Sequence, residues 1–356
     1  MARRRSRGSG ASRASRSGFG SRRSTTTSGM NDGPRNDGAR MTAAVHRPIR
    51  FGAQIWSQAT DWPGFRDAAL TAEAAGWDSV WTWDHLLAIF GPSEQPIIEG
   101  WTALSALGPI TRRVRLGLMV GANTFRNPGL TAKLATTLDH VSGGRAVLGI
   151  GGAWFEREHD AFGLDFGAGI GERLDRLDES VMLLRRLLDG ERVDHAGRFY
   201  IFRDAVCEPR PLQPHLPILI GGNGPRKTLR TVALRGDAWN TNGTADEVRE
   251  RLAILDAHCA AVGRDRSEIE LTVSFPVLLR DRRADAERAW ADVMAHNGTS
   301  NAGSVPHLLG PPVEVADAIR PFVDLGFRTI IVRLPAPYDR ETIDRIGEVG
   351  TLLADA

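Results

Sequence analysis

Short apolar segments alternate with amphipathic ones along the chain from residue 49 onward. Two apolar segments, Val114–Val120 and Ala146–Ile150, flank a stretch in which apolar positions recur every three or four residues. These positions are Leu130, Leu134, Thr137, Leu138 and Val141. Unbroken apolar runs are typical of parallel strands buried on both faces, and the longer spacing is typical of a helix. The pattern predicts a strand–helix–strand unit with parallel strands.

The same alternation predicts eight strands, with helical segments between them. The strands are Ile49–Trp56, Ser79–His85, Val114–Val120, Ala146–Ile150, Ile218–Ile220, Asp237–Asn240, Ile269–Phe275 and Thr329–Leu334. Predicted helices include Glu172–Leu188, one that begins at Pro225 and one capped by Thr244. Eight strand–helix repeats predict an α/β fold of the (β/α)8 barrel type, with its active site at the carboxyl ends of the strands. A doubly wound sheet is the less favoured alternative.

Two segments depart from the repeat. Val193–Pro217, after the fourth barrel helix, contains a short apolar run and several prolines and is interpreted as a hairpin. Residues 280–310, after the seventh strand, are interpreted as an insertion over the strand ends, with a helix at Ala284–Asn297.

Composition divides the chain into a tail, residues 1–47, and a barrel domain, residues 48–356. The tail is rich in Arg, Ser and Gly, so it is predicted to be disordered. Residues 1–50 hold twelve arginines against two aspartates, so the remainder of this chain of formal charge +2 is mildly acidic. Nucleic-acid binding is therefore not expected of the barrel, although the basic tail leaves it open as an alternative.

Two further features bear on location. Cys207 and Cys259 are the two cysteines of the sequence, and they form no C-x-x-C motif. This favours a reducing, cytoplasmic setting. No apolar run approaches the ~18 residues of a membrane span, so no membrane association is predicted.

The predicted strand ends carry glycine, aromatic rings and one Asp–His pair. They are Trp56, Trp83-Asp84-His85, Gly121–Thr124, Gly151–Trp154, Gly221–Gly224 and Asn240. This set contains no carboxylate pair and no nucleophile elbow, and the nine histidines are too scattered to predict a metal site. Glycine lets a flat ring or a phosphate approach the main chain. The strand ends therefore predict binding of a large planar cofactor.

Two of these groups suggest specific roles. Gly221–Gly224, leading into a helix at Pro225, could present main-chain N–H groups to a phosphate at the helix N-terminus. His85 is a candidate for proton transfer, because histidine gains or loses a proton near neutral pH. Asp84 or a main-chain carbonyl is expected to fix its tautomer. His140, His159 and Asp139 are interpreted as structural, since they lie on or after helices.

Several motifs in order along residues 49–350 resemble the bacterial-luciferase-like superfamily, and within it the coenzyme F420-dependent oxidoreductases. They are Trp83-Asp-His85, Leu116–Gly121, Arg126-Asn-Pro128, Leu138–Arg145, Leu148–Trp154 and Gly236–Trp239. The resemblance implies an F420-dependent hydride transfer to or from a small organic substrate. An FMN-dependent monooxygenase on the same barrel is the alternative.

The resemblance also implies residue roles. It implies a cis peptide bond at about Met119–Val120 behind the cofactor ring, a homodimer, and His85 as the catalytic residue. The implied cofactor-binding residues are Asp84, Met119, Val120, Gly121, Gly152, Gly221, Gly222, Asn223 and Gly224. One departure concerns the substrate. Where sugar-phosphate dehydrogenases of this kind carry an acid/base Glu, this chain has Trp154, with Glu156 and Glu158 further along. A sugar phosphate is therefore not expected.

Overall fold

The computed structural model describes residues 48–300 and 305–354; the predicted tail, residues 1–47, lies outside them. The strands are β1 Arg50–Ile55, β2 Ser79–Thr82, β3 Arg115–Leu118, β4 Gly121–Ala122, β5 Ala146–Gly151, β6 Val193–Ala196, β7 Ile201–Ala205, β8 Ile218–Gly221, β9 Ala238–Thr241, β10 Glu270–Leu279, β11 Leu308–Gly310 and β12 Thr329–Leu334. The helices are α1 Trp62–Ala74, α2 Gly100–Leu107, α3 Pro128–Ser142, α4 Glu156–Phe162, α5 Ile170–Leu188, α6 Thr228–Arg235, α7 Ala245–Val262, α8 Arg283–His296, α9 Pro312–Asp324 and α10 Arg340–Ala354.

Within the described ranges, eight parallel strands close into a barrel in the order β1, β2, β3, β5, β8, β9, β10 and β12. Pairing of β12 with β1 completes the ring. Helices connect successive strands, so the predicted (β/α)8 fold is confirmed. Of the helices in these ranges, none is both long and apolar enough to cross a bilayer.

The core has two parts because strand side chains alternate between the two faces of the barrel wall. One cluster fills the lower barrel interior: Trp81, Met119, Val147, Leu219, Ala238 and Ile331. A larger cluster packs the outer faces of the strands against the helices. Because the inner cluster is small, other side chains line the barrel interior at the carboxyl ends of the strands.

The recurring apolar positions predicted for α3 are only partly buried. Leu130 is 53% exposed and Val141 is 41% exposed, whereas Ala132, Ala135 and Leu138 are buried. The reason is that α3 packs at once against α2, α5 and β5. The small side chains of Ala132 and Ala135 face these neighbours, so Leu130 and Val141 lie on the side of the helix that faces solvent.

Both departures from the repeat have defined structures. β6 and β7 form an antiparallel hairpin after α5. β10 runs to Leu279, beyond the predicted end at Phe275, because its last residues pair in parallel with β11. α8 packs over the ends of β1 and β2 in an apolar cluster with Trp56, Trp83 and Leu278. This segment therefore covers one side of the barrel mouth.

Two predicted strands end early. β2 stops at Thr82 instead of His85, so Trp83, Asp84 and His85 lie in the following loop. β3 stops at Leu118, and the Met119–Val120 peptide bond that follows is cis. The chain resumes pairing as β4 beside β5. The implied position of the cis bond is confirmed.

Candidate active site

A cavity of about 650 Å³ opens at the carboxyl ends of the barrel strands. Its volume lies within the ~300–1,000 Å³ typical of small-molecule and cofactor sites. All the residues predicted for the site line it: Asp84, His85, Met119, Val120, Gly121, Gly152, Gly221, Gly222, Asn223 and Gly224. Their individual roles stay predictions.

The glycines at the ends of β5 and β8 make room for a side chain of the protein itself. A Cβ on Gly151 would lie 2.7 Å from a methyl carbon of Val120, and one on Gly221 would lie 2.8 Å from the other methyl. Val120 therefore nests between the two strand ends. The sequence predicted that the ligand would contact these glycines directly. In the structure the Val120 side chain packs against both glycines and forms part of the cavity wall.

The loop after β8 is held by side chains from β9. The Trp239 indole donates to the Gly222 carbonyl at 2.9 Å, and the Thr241 hydroxyl donates to the Asn223 amide oxygen at 2.7 Å. The N–H of Gly222 donates to the Asn240 carbonyl. The N–H groups of Asn223 and Gly224 find no acceptor in residues 48–300 and 305–354. These two donors are free to bind an anion.

The predicted helix start at Pro225 is wrong by three residues. Residues 225–227 form a turn, and α6 begins at Thr228. The Lys227 ammonium is turned away, because it donates to the Gly171 carbonyl and pairs with Asp175. The loop still precedes the positive end of α6, so main-chain N–H groups rather than the lysine are the donors available there.

Asp84 is a buried carboxylate that fixes the backbone beside the cis peptide. Arg126 donates two hydrogen bonds to it, at 2.7 and 2.9 Å, and the N–H of Ala122 donates a third at 2.8 Å. Burial raises the pKa of Asp84, and the bonds from Arg126 and Ala122 oppose that shift. Burial would lower the pKa of Arg126, but Asp84 and Glu99 together raise it. Asp84 thus holds β4 in place.

His85 is oriented by Glu158, not by Asp84 or a carbonyl as expected from the sequence. His85 Nδ1 lies 2.9 Å from Glu158 Oε1, and the N–H of Leu86 donates to Glu158 Oε2 at 2.8 Å. Asp84 makes no hydrogen bond to His85 and instead accepts from Arg126 and Ala122. Glu158 is buried on α4, a helix that the sequence pattern did not predict.

The tautomer of His85 follows from this network. Oε2 of Glu158 accepts from the N–H of Leu86, and with Glu158 as a carboxylate, which can only accept, Nδ1 of His85 is the nitrogen that donates to Oε1. In the neutral ring Nε2 then carries a lone pair, and it forms no hydrogen bond within the described ranges. His85 lines the cavity. The pair therefore presents a proton acceptor to a bound ligand.

Other cavity residues were not singled out from the sequence. Gln54, Ser274 and Arg333 line the cavity from β1, β10 and β12. Each is a polar residue within an apolar strand. Because successive side chains of a strand point to opposite faces, each occupies a position that faces the barrel interior, and this is the sequence signal that could have identified them. Trp154, at the cavity rim, is 61% exposed and meets the His85 ring edge-on, with 5.6 Å between ring centroids.

Sequence comparison identifies relatives over almost the whole barrel. The F420-dependent glucose-6-phosphate dehydrogenase of Microbacterium testaceum is 30% identical over 327 residues, covering 85% of this chain and 96% of that enzyme. The enzyme of the same description from Nakamurella multipartita is 30% identical over 340 residues, covering 85% and 95%.

Solved structures share the fold. An F420-dependent secondary alcohol dehydrogenase in complex with an F420–acetone adduct superposes with a TM-score of 0.75 at 19% identity, covering 86% of this chain and 99% of that one. A monooxygenase from Streptomyces bottropensis gives a TM-score of 0.71 at 24% identity, covering 86% and 98%. The family model described as luciferase-like monooxygenase matches residues 41–329. The chain belongs to the luciferase-like monooxygenase family, and it is an oxidoreductase on that barrel.

Proposed function

We propose that the protein is an F420-dependent oxidoreductase that moves a hydride between F420 and a small organic substrate. The observation that carries the proposal is the His85–Glu158 pair, which presents a nitrogen lone pair to the cavity lined by the glycine loop. The choice of F420 is supported by the two relatives above, both named F420-dependent and both aligned over nearly their full length.

The residues present suit such a cofactor. The free N–H groups of Asn223 and Gly224 would hold a phosphate group, and the wall formed by Val120 and the cis peptide would back a flat ring. Asp84 and Arg126 would keep that wall in place from behind. FMN also has a tricyclic ring and a phosphate, so it is the alternative that the same donors would accept.

The chemistry divides between cofactor and protein. F420, when bound, supplies a two-electron hydride acceptor or donor. Glu158 holds His85 through Nδ1, which leaves Nε2 of this cavity residue without a partner among the described residues. Nε2 would accept the hydroxyl proton of an alcohol substrate during oxidation and return it to the oxygen during carbonyl reduction. Such general acid–base assistance typically contributes ~10²–10⁴-fold in rate.

The substrate is expected to differ from glucose 6-phosphate. Trp154 stands where the resemblance would place an acid/base glutamate, and its indole is at the rim near His85. Glu156 is exposed, and Glu158 is engaged by His85. Glu156 does not line the cavity, so among the described residues this edge of the cavity offers no unpaired carboxylate to a sugar hydroxyl. A homodimer and a cytoplasmic location stay predictions.

The test has two arms. Fluorescence titration of the purified protein with F420 and, separately, with FMN should give the tighter dissociation constant for F420. Loss of F420 absorbance is then followed with glucose 6-phosphate, 2-propanol and small 2-hydroxy acids as hydride donors. Tighter binding of FMN, together with oxygen-dependent turnover, would establish the monooxygenase alternative instead.

A further inference from the structure

Arg333 is the cavity residue for which the proposed function gives no role. It lies near the end of β12, in register with Gln54 on β1 and Pro276 on β10. Its side chain is partly buried and lines the cavity, and Nη2 donates to the Ser274 hydroxyl at 3.0 Å. The guanidinium is thus placed among neutral neighbours.

The other charged cavity residues are already paired. Asp84 is paired with Arg126, and Glu158 with His85. Arg333 has no ion pair with any residue of the described ranges. Burial lowers the pKa of Arg333 to about 10, so the side chain is still charged at neutral pH. Burial and the charge of Arg333 also lower the pKa of His307, which favours the neutral ring beside the guanidinium.

A partly buried charge without a counter-ion is unfavourable. A ligand that brings one negative charge would offset that cost. Gln54 adds to the incomplete set, because its Nε2 donates to the Met119 carbonyl while its Oε1 has no partner among the described residues. At this end of the cavity the Arg333 guanidinium therefore lacks an anion, and the Gln54 amide oxygen lacks a hydrogen-bond donor.

The position of Arg333 points to the substrate rather than the cofactor. In the ring of eight strands, β12 lies four strands from β5, which is the opposite wall. The glycine loop, Val120 and the cis peptide all belong to the β3–β5–β8 side. Arg333 and Ser274 belong to the β10–β12 side, and Gln54 on β1 lies between the two sides, since it donates to the Met119 carbonyl. A cofactor held on the first side leaves the second side facing whatever binds against it.

We propose that Arg333 binds the carboxylate of a small hydroxy or oxo acid, and that this is the substrate class of the enzyme. This inference rests on the proposed F420-dependent function. The planar guanidinium matches a carboxylate with two parallel hydrogen bonds. One uncompensated positive charge balances one carboxylate, whereas a phosphate monoester carries nearly two negative charges at neutral pH.

The reaction then balances without further reagents. In a 2-hydroxy acid, the carbinol hydrogen leaves with its electron pair to F420, and the hydroxyl proton goes to His85 Nε2. The carbon–oxygen single bond becomes a carbonyl, so the hydroxy acid is oxidised to the oxo acid while F420 is reduced. Arg333 holds the carboxylate in place during both oxidation of the hydroxy acid and reduction of the oxo acid.

Matched ligands test the proposal on the F420-loaded protein. Mandelate and mandelamide, and lactate and lactamide, are pairs in which a neutral amide of nearly the same shape replaces the carboxylate. We expect the parent to bind each acid at least ~10-fold tighter than its amide, as for a hydrogen bond to a charged group. Arg333→Gln should abolish the preference, and Arg333→Lys should retain part of it. F420 affinity should stay within about twofold in both variants.

Three outcomes would overturn the proposal. The first is a parent that shows no preference for the acids, including no binding of either ligand. The second is an Arg333→Gln variant that keeps the preference intact. The third is an Arg333→Gln variant that loses F420 affinity as much as acid affinity, which would assign Arg333 to the cofactor. If Arg333→Gln does not fold, an undiminished acid preference in Arg333→Lys would also overturn it. Failure of the parent to bind F420 is a separate result, and it would refute the proposed function.

Discussion

His85 Nδ1 lies 2.9 Å from Glu158 Oε1, although the two residues are 73 positions apart in the chain. The loop after β2 supplies the histidine, and α4, which follows β5, supplies the carboxylate. Glu158 also accepts a hydrogen bond from the N–H of Leu86, so it fixes both the ring and the loop that carries it. Glu158 is therefore a residue that positions His85, the residue proposed to transfer the proton.

Replacing Glu158 with Gln should lower kcat, by less than the ~10²–10⁴-fold that general acid–base assistance contributes, because the histidine stays but loses the carboxylate that orients it. F420 affinity should change little, because Glu158 contacts His85 and not the glycine loop. His85→Asn should lower kcat further, with a modest loss of F420 affinity. Turnover with the substrate found above and F420 fluorescence titration measure the two effects.

Glu156→Gln is the matched control, since Glu156 is exposed on the same helix and has no contact with His85. It should behave as the parent. Equal losses of kcat and F420 affinity in His85→Asn would instead make His85 a cofactor-positioning residue.

Gly222→Ala should lower F420 affinity by about tenfold, equivalent to one hydrogen bond to a charged group. Gly222 has φ of 134°, a conformation that alanine disfavours, so the loop must shift and move the N–H groups of Asn223 and Gly224. Gly263→Ala, at a φ of 70° with open space around it, is the control for the backbone cost of about 1–2 kcal/mol. It should reduce Tm without changing F420 binding; parallel binding losses in both variants would remove the anion-loop assignment.

Arg126→Met should destabilise the fold by about 3 kcal/mol, because it leaves the buried carboxylate of Asp84 without its counter-ion. Asp84→Asn should cost less, because Arg126 keeps its bond to Glu99 at 2.9 Å. Urea denaturation of the two variants and of the double variant gives the comparison. A larger loss in Asp84→Asn than in Arg126→Met would contradict this account of the pair.

Glu73 predicts a pH-dependent contribution to stability. Burial alone would raise the pKa of Glu73, but hydrogen bonds from the N–H groups of Arg113, Arg112 and Val114 outweigh it and lower that pKa. A lowered carboxyl pKa stabilises the fold above the unfolded value of about 4.3, and the contribution is lost as pH falls through the folded value.

Glu73→Gln should therefore lower Tm at pH 7, and the difference from the parent should shrink toward pH 3.5. Glu287→Gln, at an exposed position of α8, is the control and should match the parent at both values. A Tm difference that is unchanged or larger in acid would show that the loss comes from packing and not from the carboxylate.

The sequence by itself determined the barrel and the face on which the site lies. Apolar runs and helical spacing are local properties, and each was enough to place a strand or a helix to within a few residues. Eight repeats then leave few ways to close a sheet. Because parallel strands bring their carboxyl ends to one side, residues as distant in sequence as His85 and Gly222 were predicted to share a cavity, and both line it.

Only the tertiary structure decided which side chains act together. Glu158 on His85, Arg126 on Asp84, and Val120 between two glycines are contacts between different repeats of the barrel. Local periodicity carries no information about such contacts, since they depend on where loops of different strands cross the barrel mouth. Arg333 is the clearest case. The sequence showed an arginine within an apolar strand, but only the closed ring showed that its strand neighbours are neutral and that it lines the same cavity as the glycine loop.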